Sequence, residues 1–179
     1  MSLRHVDSFS ETAIERALLR ALAKLVDFDK ALFLNNASER SICHRLALYL
    51  EAEFPDFDID CEYNRDYRNR DNLRKQLRGE DLIRLAYPKK ERATVEIDAD
   101  ESITVFPDII VHRRNTSDNL LVIETKKTAS SVDDAFDRKK LVEYQSQLGY
   151  RFAKFLRFGT TGEGKLIDQN VFLATWNRK

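Results

Sequence analysis

Two carboxylates and a lysine stand where two apolar stretches of the chain end. Asp108 comes directly before one stretch, and Glu124 and Lys126 follow the next. If the two stretches pair as a hairpin about a turn near residue 116, Asp108 lies opposite Glu124 or Thr125. Side chains two residues apart in a strand share one face. We therefore expect Asp108, Glu124 and the Lys126 ammonium to meet at one end of an apolar hairpin.

Neighbouring carboxylates beside buried strands need a positive partner. Two carboxylates about 4 Å apart repel by roughly 4 kcal/mol at an effective dielectric constant near 20. A divalent cation removes this penalty, and hard oxygen ligands favour Mg²⁺ or Mn²⁺. Such an ion can lower the pKa of a water molecule and orient a phosphodiester, while a nearby ammonium stabilises developing negative charge. The residue types therefore favour metal-dependent phosphodiester hydrolysis.

The elements that must position these residues form an α/β fold with a mixed β-sheet flanked by helices. Near-continuous apolar runs at 109–111 and 120–123 are typical of strands buried on both faces. The predicted order is two helices, a strand, an insert, two strands, a helix and two strands. The predicted segments are an N-terminal helix through Ile14 and Leu25, helices over 37–53, 72–85 and 134–148, and strands over 57–63, 92–97, 103–112, 120–126, 152–158 and 171–176.

The spacing of the charged residues matches a known motif. Pro107-Asp108, fifteen intervening residues and then Glu124-Thr125-Lys126 resemble the motif of the PD-(D/E)XK nuclease superfamily. The resemblance implies the restriction-endonuclease-like fold, with an αβββαβ core over about 37–158. An N-terminal helix precedes this core, and a basic insert over about 65–92 interrupts it.

The resemblance also implies an active site. Its metal, Mg²⁺ or Mn²⁺, would be held by Asp108, Glu124 and the main-chain carbonyl of Thr125, with Lys126 as the catalytic lysine. A glutamate on the first core helix would assist, and Glu39 is the candidate. Asn36 and Glu39 also have the spacing of a capping box, so closing the helix start is an alternative role for Glu39.

Two further groups are candidates for nucleic-acid contacts. In this superfamily the helix after the motif often carries polar residues on the substrate side, and Lys140 and Gln147 lie on one stripe of that helix with Tyr144. The insert holds a dense basic run, in which Arg70, Arg74 and Lys75 are candidates because guanidinium and ammonium groups bind phosphate. For both groups a solvated helix face is the alternative interpretation.

Composition limits the remaining possibilities. The chain has 179 residues, a length that predicts one domain over 1–179. Its formal net charge is zero. Charge alternates along the chain, since 1–64 and 93–137 are net acidic whereas 65–92 and 138–179 are net basic. No apolar run approaches the roughly 20 residues of a membrane span. Cys43 and Cys61 lack CxxC spacing, which argues against a disulfide framework and a zinc cluster. From the cysteines and the lack of a long apolar run we expect a soluble, cytoplasmic protein without a membrane partner.

The leading hypothesis is a Mg²⁺- or Mn²⁺-dependent nuclease that acts on nucleic acid, most simply DNA, in restriction, repair or defence. By analogy with the superfamily it would act as a homodimer, so that both strands are cut. One alternative is a catalytically silent module of the same fold that binds nucleic acid or a partner protein. Another is a scaffold in which the charged hairpin is an ion-pair network, with Asp108 paired to Lys126 and no metal.

Overall fold

Four helices and seven strands make up the described part of the chain, which is of the mixed α/β class. The computed structural model describes residues 9–68, 74–87, 102–127, 134–159 and 174–175. The elements are α1 (Glu11–Leu34), α2 (Glu39–Glu51), β1 (Asp58–Cys61), β2 (Gln76–Arg78), α3 (Glu80–Ala86), β3 (Ser102–Thr104), β4 (Ile109–His112), β5 (Asn119–Lys127), α4 (Ala135–Leu148), β6 (Phe152–Phe158) and β7 (Ala174–Thr175).

The apolar hairpin lies at the centre of a five-stranded mixed sheet. The strand order is β1-β4-β5-β6-β7, with β4 and β5 antiparallel and β5 and β6 parallel. Ile109 lies opposite Ile123, which confirms the predicted register about the turn. The runs 109–111 and 120–123 are fully buried, so the prediction of strands covered on both faces is confirmed as well.

Two hydrophobic cores cover the two faces of this sheet. One core joins α1 and α2 to the face that carries Ile109, Val111 and Ile123. The other joins α3 and α4 to the face that carries Ile110 and Val122. Because side chains alternate along a strand, each strand of the hairpin supplies both cores. None of the helices within the described ranges combines the length and the apolar composition that crossing a membrane requires.

The insert differs from its prediction. Of the helix expected over 72–85, only the second half forms: β2 lies within the predicted range, and α3 begins after Gly79. Gly79 has φ +135°, a conformation that side chains with a Cβ rarely adopt, and this residue separates strand from helix. Leu77 and Leu82 are fully buried, so the described part of the insert contributes to the second core.

The single strand expected over 103–112 is also divided. β3 pairs with β2 in a separate two-stranded sheet, whereas β4 pairs with β1 and β5. The chain between β3 and β4 therefore leaves one sheet and enters the other, and Asp108 is the last residue of this connection. The predicted strand over 92–97 and Arg70 lie outside the described residues.

Helix α4 matches its expected bounds closely. It spans Ala135–Leu148, and Gly149 ends it in the left-handed conformation with φ +68°. A Cβ at Gly149 would lie 3.0 Å from the Arg68 guanidinium, so space as well as backbone conformation favours glycine there. This helix runs between β5 and β6 and carries its polar stripe against the end of β5.

Candidate active site

Asp108 is fixed against the neighbouring strand by Thr125. Its Oδ2 atom accepts a hydrogen bond from the Thr125 main-chain N–H at 2.7 Å and another from the Thr125 hydroxyl at 2.9 Å. Thr125 is buried, and its hydroxyl also lies 3.3 Å from the Cys43 sulfur on α2. Burial raises the pKa of Asp108, although both bonds from Thr125 oppose that shift. The strand register predicted from the sequence therefore places Asp108 next to Thr125, as the structure does.

Glu124 is the most deeply buried carboxylate of the site. Its Oε2 atom accepts from the Lys140 ammonium at 2.7 Å, and its Oε1 atom accepts from the Tyr144 hydroxyl at 2.9 Å. The side chain of Glu124 is 2% exposed. Burial raises the pKa of Glu124 to about 8, with a further contribution from the Asp108 carboxylate, and the Lys140 ammonium only partly offsets this.

Lys126 shares its face of β5 with Glu124 but has a different partner. Its ammonium lies 3.0 Å from Oδ2 of Asp137, in the first turn of α4. The ion pair considered between Asp108 and Lys126 is therefore not the one that forms. Oδ1 of Asp137 lies 3.1 Å from the Lys140 ammonium, so this carboxylate bridges two lysines.

Together these side chains form the charged cluster, which we define as Asp108, Glu124, Lys126, Asp137 and Lys140. Burial lowers the pKa of Lys140, but Glu124 and Asp137 outweigh burial and leave that pKa raised. Three carboxylates and two ammonium groups thus meet where β5 faces α4. Asp137 is the member that the sequence prediction missed. It lies one turn before Lys140 on the stripe that continues through Tyr144, and this spacing was the available signal.

A cavity of about 340 Å³ adjoins Asp108 on the side of α2. It is lined by Glu39, Arg40, Cys43, Cys61, Glu62 and Asp108. Glu39 is the first residue of α2, and the helix cap is Ser38, whose hydroxyl accepts from the Ser41 main-chain N–H. The alternative in which Glu39 forms a capping box with Asn36 is therefore wrong, and the glutamate faces the same cavity as Asp108.

The remaining residues expected at a nucleic-acid surface have structural contacts. Lys75 is 1% exposed, and its ammonium donates to the main-chain carbonyls of Tyr63 and Arg65. Gln147 binds both main-chain polar groups of Arg78, accepting from its N–H at 2.9 Å and donating to its carbonyl at 2.7 Å. A phosphate would reach Lys75 or Gln147 only after these bonds broke. Arg74 is exposed.

The ligand set that the motif implies consists of two carboxylates and one main-chain carbonyl. Within the described ranges, no group of three or more His, Cys, Asp or Glu side chains is arranged so that these side chains alone could hold a metal ion. Comparisons of the chain with protein-family models, with curated proteins and with solved structures found no match. The chemical properties of the site are therefore those of the charged cluster and its surroundings.

Proposed function

We propose that the protein is a metal-dependent nuclease that hydrolyses phosphodiester bonds, with DNA as its substrate. The observation that carries the proposal is the placement of two carboxylates side by side: Asp108, half-buried just before β4 and bound to Thr125, and Glu124, buried on the neighbouring strand β5, with Lys126 on the same face of β5. The order α2-β1-β4-β5-α4-β6 also supports it, because it is the αβββαβ order that the motif implies.

The donor chemistry of this pair suits a hard divalent cation. Burial raises the pKa of both carboxyls, so keeping both ionised is costly until a positive charge binds between them. Asp108, Glu124 and the Thr125 carbonyl would hold Mg²⁺ or Mn²⁺, both of which prefer oxygen ligands. When bound, the cation would polarise the phosphodiester and lower the pKa of a coordinated water.

The protein's own groups supply position and charge. The Thr125 N–H and hydroxyl hold one oxygen of Asp108, which fixes the orientation of this carboxylate. Asp137 holds the Lys126 ammonium, which would stabilise the negative charge that develops on the phosphate. The cavity beside Asp108 leaves space for part of a substrate, with Glu39 and Arg40 at its wall.

The proposal is tested by cleavage of plasmid DNA and of single-stranded DNA and RNA in Mg²⁺ and in Mn²⁺. Asp108→Asn and Lys126→Met should each lower the cleavage rate by about a hundredfold or more, the usual effect of losing one preorganised charged group. Asp118→Asn is the matched control, since this carboxylate pairs with Arg113 and Arg151 at the turn end of the same hairpin. Cleavage that survives both substitutions would contradict the proposal.

A catalytically silent module that binds nucleic acid is the second candidate. Its specific support is that Asp137 and Glu124 already have lysine partners in the charged cluster. Such a protein would bind DNA without cutting it. The logarithm of its binding constant would fall linearly with the logarithm of salt concentration, with a slope set by the number of phosphates contacted. Binding with that slope and no cleavage in either metal would favour the module over the nuclease.

A further inference from the structure

The contacts of Lys140 bear on how a metal could enter the site. Its ammonium lies 2.7 Å from Oε2 of Glu124 and 3.1 Å from Oδ1 of Asp137. The side chain is 11% exposed, so water screens these charges only weakly. One of the two Glu124 oxygens therefore already has a positively charged partner.

The other oxygen of Glu124 is occupied as well. Oε1 accepts from the hydroxyl of Tyr144, which is completely buried and fixed in the second core. A cation that binds Glu124 through a remaining lone pair therefore comes close to both partners. Because a divalent cation and an ammonium repel each other at short range, Lys140 is the partner that has to leave.

Asp137 provides a place for the displaced ammonium. It already contacts Lys140, so the lysine keeps one carboxylate partner when it releases Glu124. The ring of Phe136 lies on the same helix, with its centroid 5.2 Å from the Lys140 nitrogen, and offers a second favourable contact for a cation. Release of Glu124 therefore does not leave a buried charge without a partner.

From these contacts we propose that Lys140 is a built-in competitor of the divalent cation at Glu124, and that Asp137 receives its ammonium when the metal binds. This inference rests on the proposed function, because it takes Glu124 as a metal ligand. It makes Lys140 a positioning residue that sets the metal concentration at which the site fills. The affinity for metal is then weaker than the donor set alone would give.

The test is calorimetric titration of Mn²⁺ into the full-length protein and into Lys140→Met. The titrations are run at a pH above the pKa of Glu124, so that a bound proton does not compete with the metal in either protein. The variant should then bind Mn²⁺ at least tenfold more tightly than the wild type, since the competing charge is gone. Lys140→Arg should stay near wild-type affinity, because it keeps the charge. Lys139→Met is the matched control, as the neighbouring lysine pairs with Glu143 at 3.0 Å and does not contact Glu124. Lys140→Gln serves as a second neutral variant if the methionine variant does not fold.

The outcomes separate this inference from the proposed function. If the wild type binds Mn²⁺ and both neutral variants bind it no more tightly, the competitor role is overturned while the metal site stands. If neither the wild type nor the neutral variants bind Mn²⁺, both proposals are overturned. Binding by the neutral variants alone would support the competitor role, since the lysine would then be what keeps the metal out.

Discussion

Glu124 makes the stability of the metal-free protein depend on pH in a direction that can be calculated. Burial raises the pKa of this carboxyl from an ordinary value of 4.5 to about 8. Between those values the folded protein holds a proton that the unfolded chain releases. The free energy of unfolding therefore falls by about 1.4 kcal/mol for each pH unit in that window.

Glu124→Gln removes this titration and keeps the shape of the side chain. An amide can still accept from Lys140 through its oxygen and donate to the hydroxyl oxygen of Tyr144 through its nitrogen. Relative to the wild type, the variant should gain about 3 kcal/mol between pH 5 and pH 7, in the absence of metal. This is a large fraction of the 5–15 kcal/mol that typically separates a folded domain from its unfolded chain.

Urea unfolding followed by circular dichroism at pH 5, 6 and 7, with a chelator present, measures this difference. Glu143→Gln on the same helix is the matched control. Although burial acts to raise the pKa of Glu143, hydrogen bonds from Gln147 and Lys139 leave it lowered, so its contribution is constant above pH 5. If the difference between Glu124→Gln and the wild type is the same at all three pH values, the reasoning is refuted, because Lys140 would then keep Glu124 ionised.

Three other consequences follow from groups outside the charged cluster. Burial lowers the pKa of Lys75 to about 8, so the folded protein loses this proton before the unfolded chain does. The free energy of unfolding of the wild type should thus rise by about 2 kcal/mol relative to Lys75→Met between pH 8 and pH 10, measured by urea unfolding. Gln147→Ala should lower the free energy of unfolding by about 1 to 2 kcal/mol and speed hydrogen exchange at the Arg78 amide, because both hydrogen bonds between the Gln147 side chain and the Arg78 main chain are lost. An unchanged exchange rate would contradict this. A thiol reagent should modify only Cys61 in the folded protein and also Cys43 in urea, since Cys43 is buried; rapid modification of both in the folded state would show that the cavity wall opens.

The hairpin and its helix could be predicted because local pattern and tertiary structure agree there. The apolar runs ending at Val111 and Ile123 leave no solvent-facing side, so burial on both faces was the only consistent structure. Gly149 follows the apolar stripe of α4 and marks its end. The insert was harder to predict, because β2 and β3 are three residues each and their pairing joins distant parts of the chain. Such short strands carry too few residues to show a period of two.

At the candidate site, Asp108 and Glu124 could be predicted from the sequence, whereas Asp137 and the pairing of the lysines could not. Register placed Asp108 beside Thr125 because pairing across a hairpin follows from its turn. The choice between Asp137 and Asp108 as the partner of Lys126 depends on how α4 packs against β5, which no local pattern determines. Burial of Lys75 likewise depends on the main-chain carbonyls that surround it, because a basic run looks the same in sequence whether its members face water or the core.

The central claim is that Asp108 and Glu124 form a site for a divalent cation. Calorimetric titration of Mn²⁺ into the wild type and into Asp108→Asn tests it most directly, because the Asp108 carboxylate has no lysine within its hydrogen-bonding partners among the described residues. We expect one bound ion per chain in the wild type and at least a tenfold loss of affinity in the variant. Equal binding by the two proteins, or no binding by the wild type, would contradict the account.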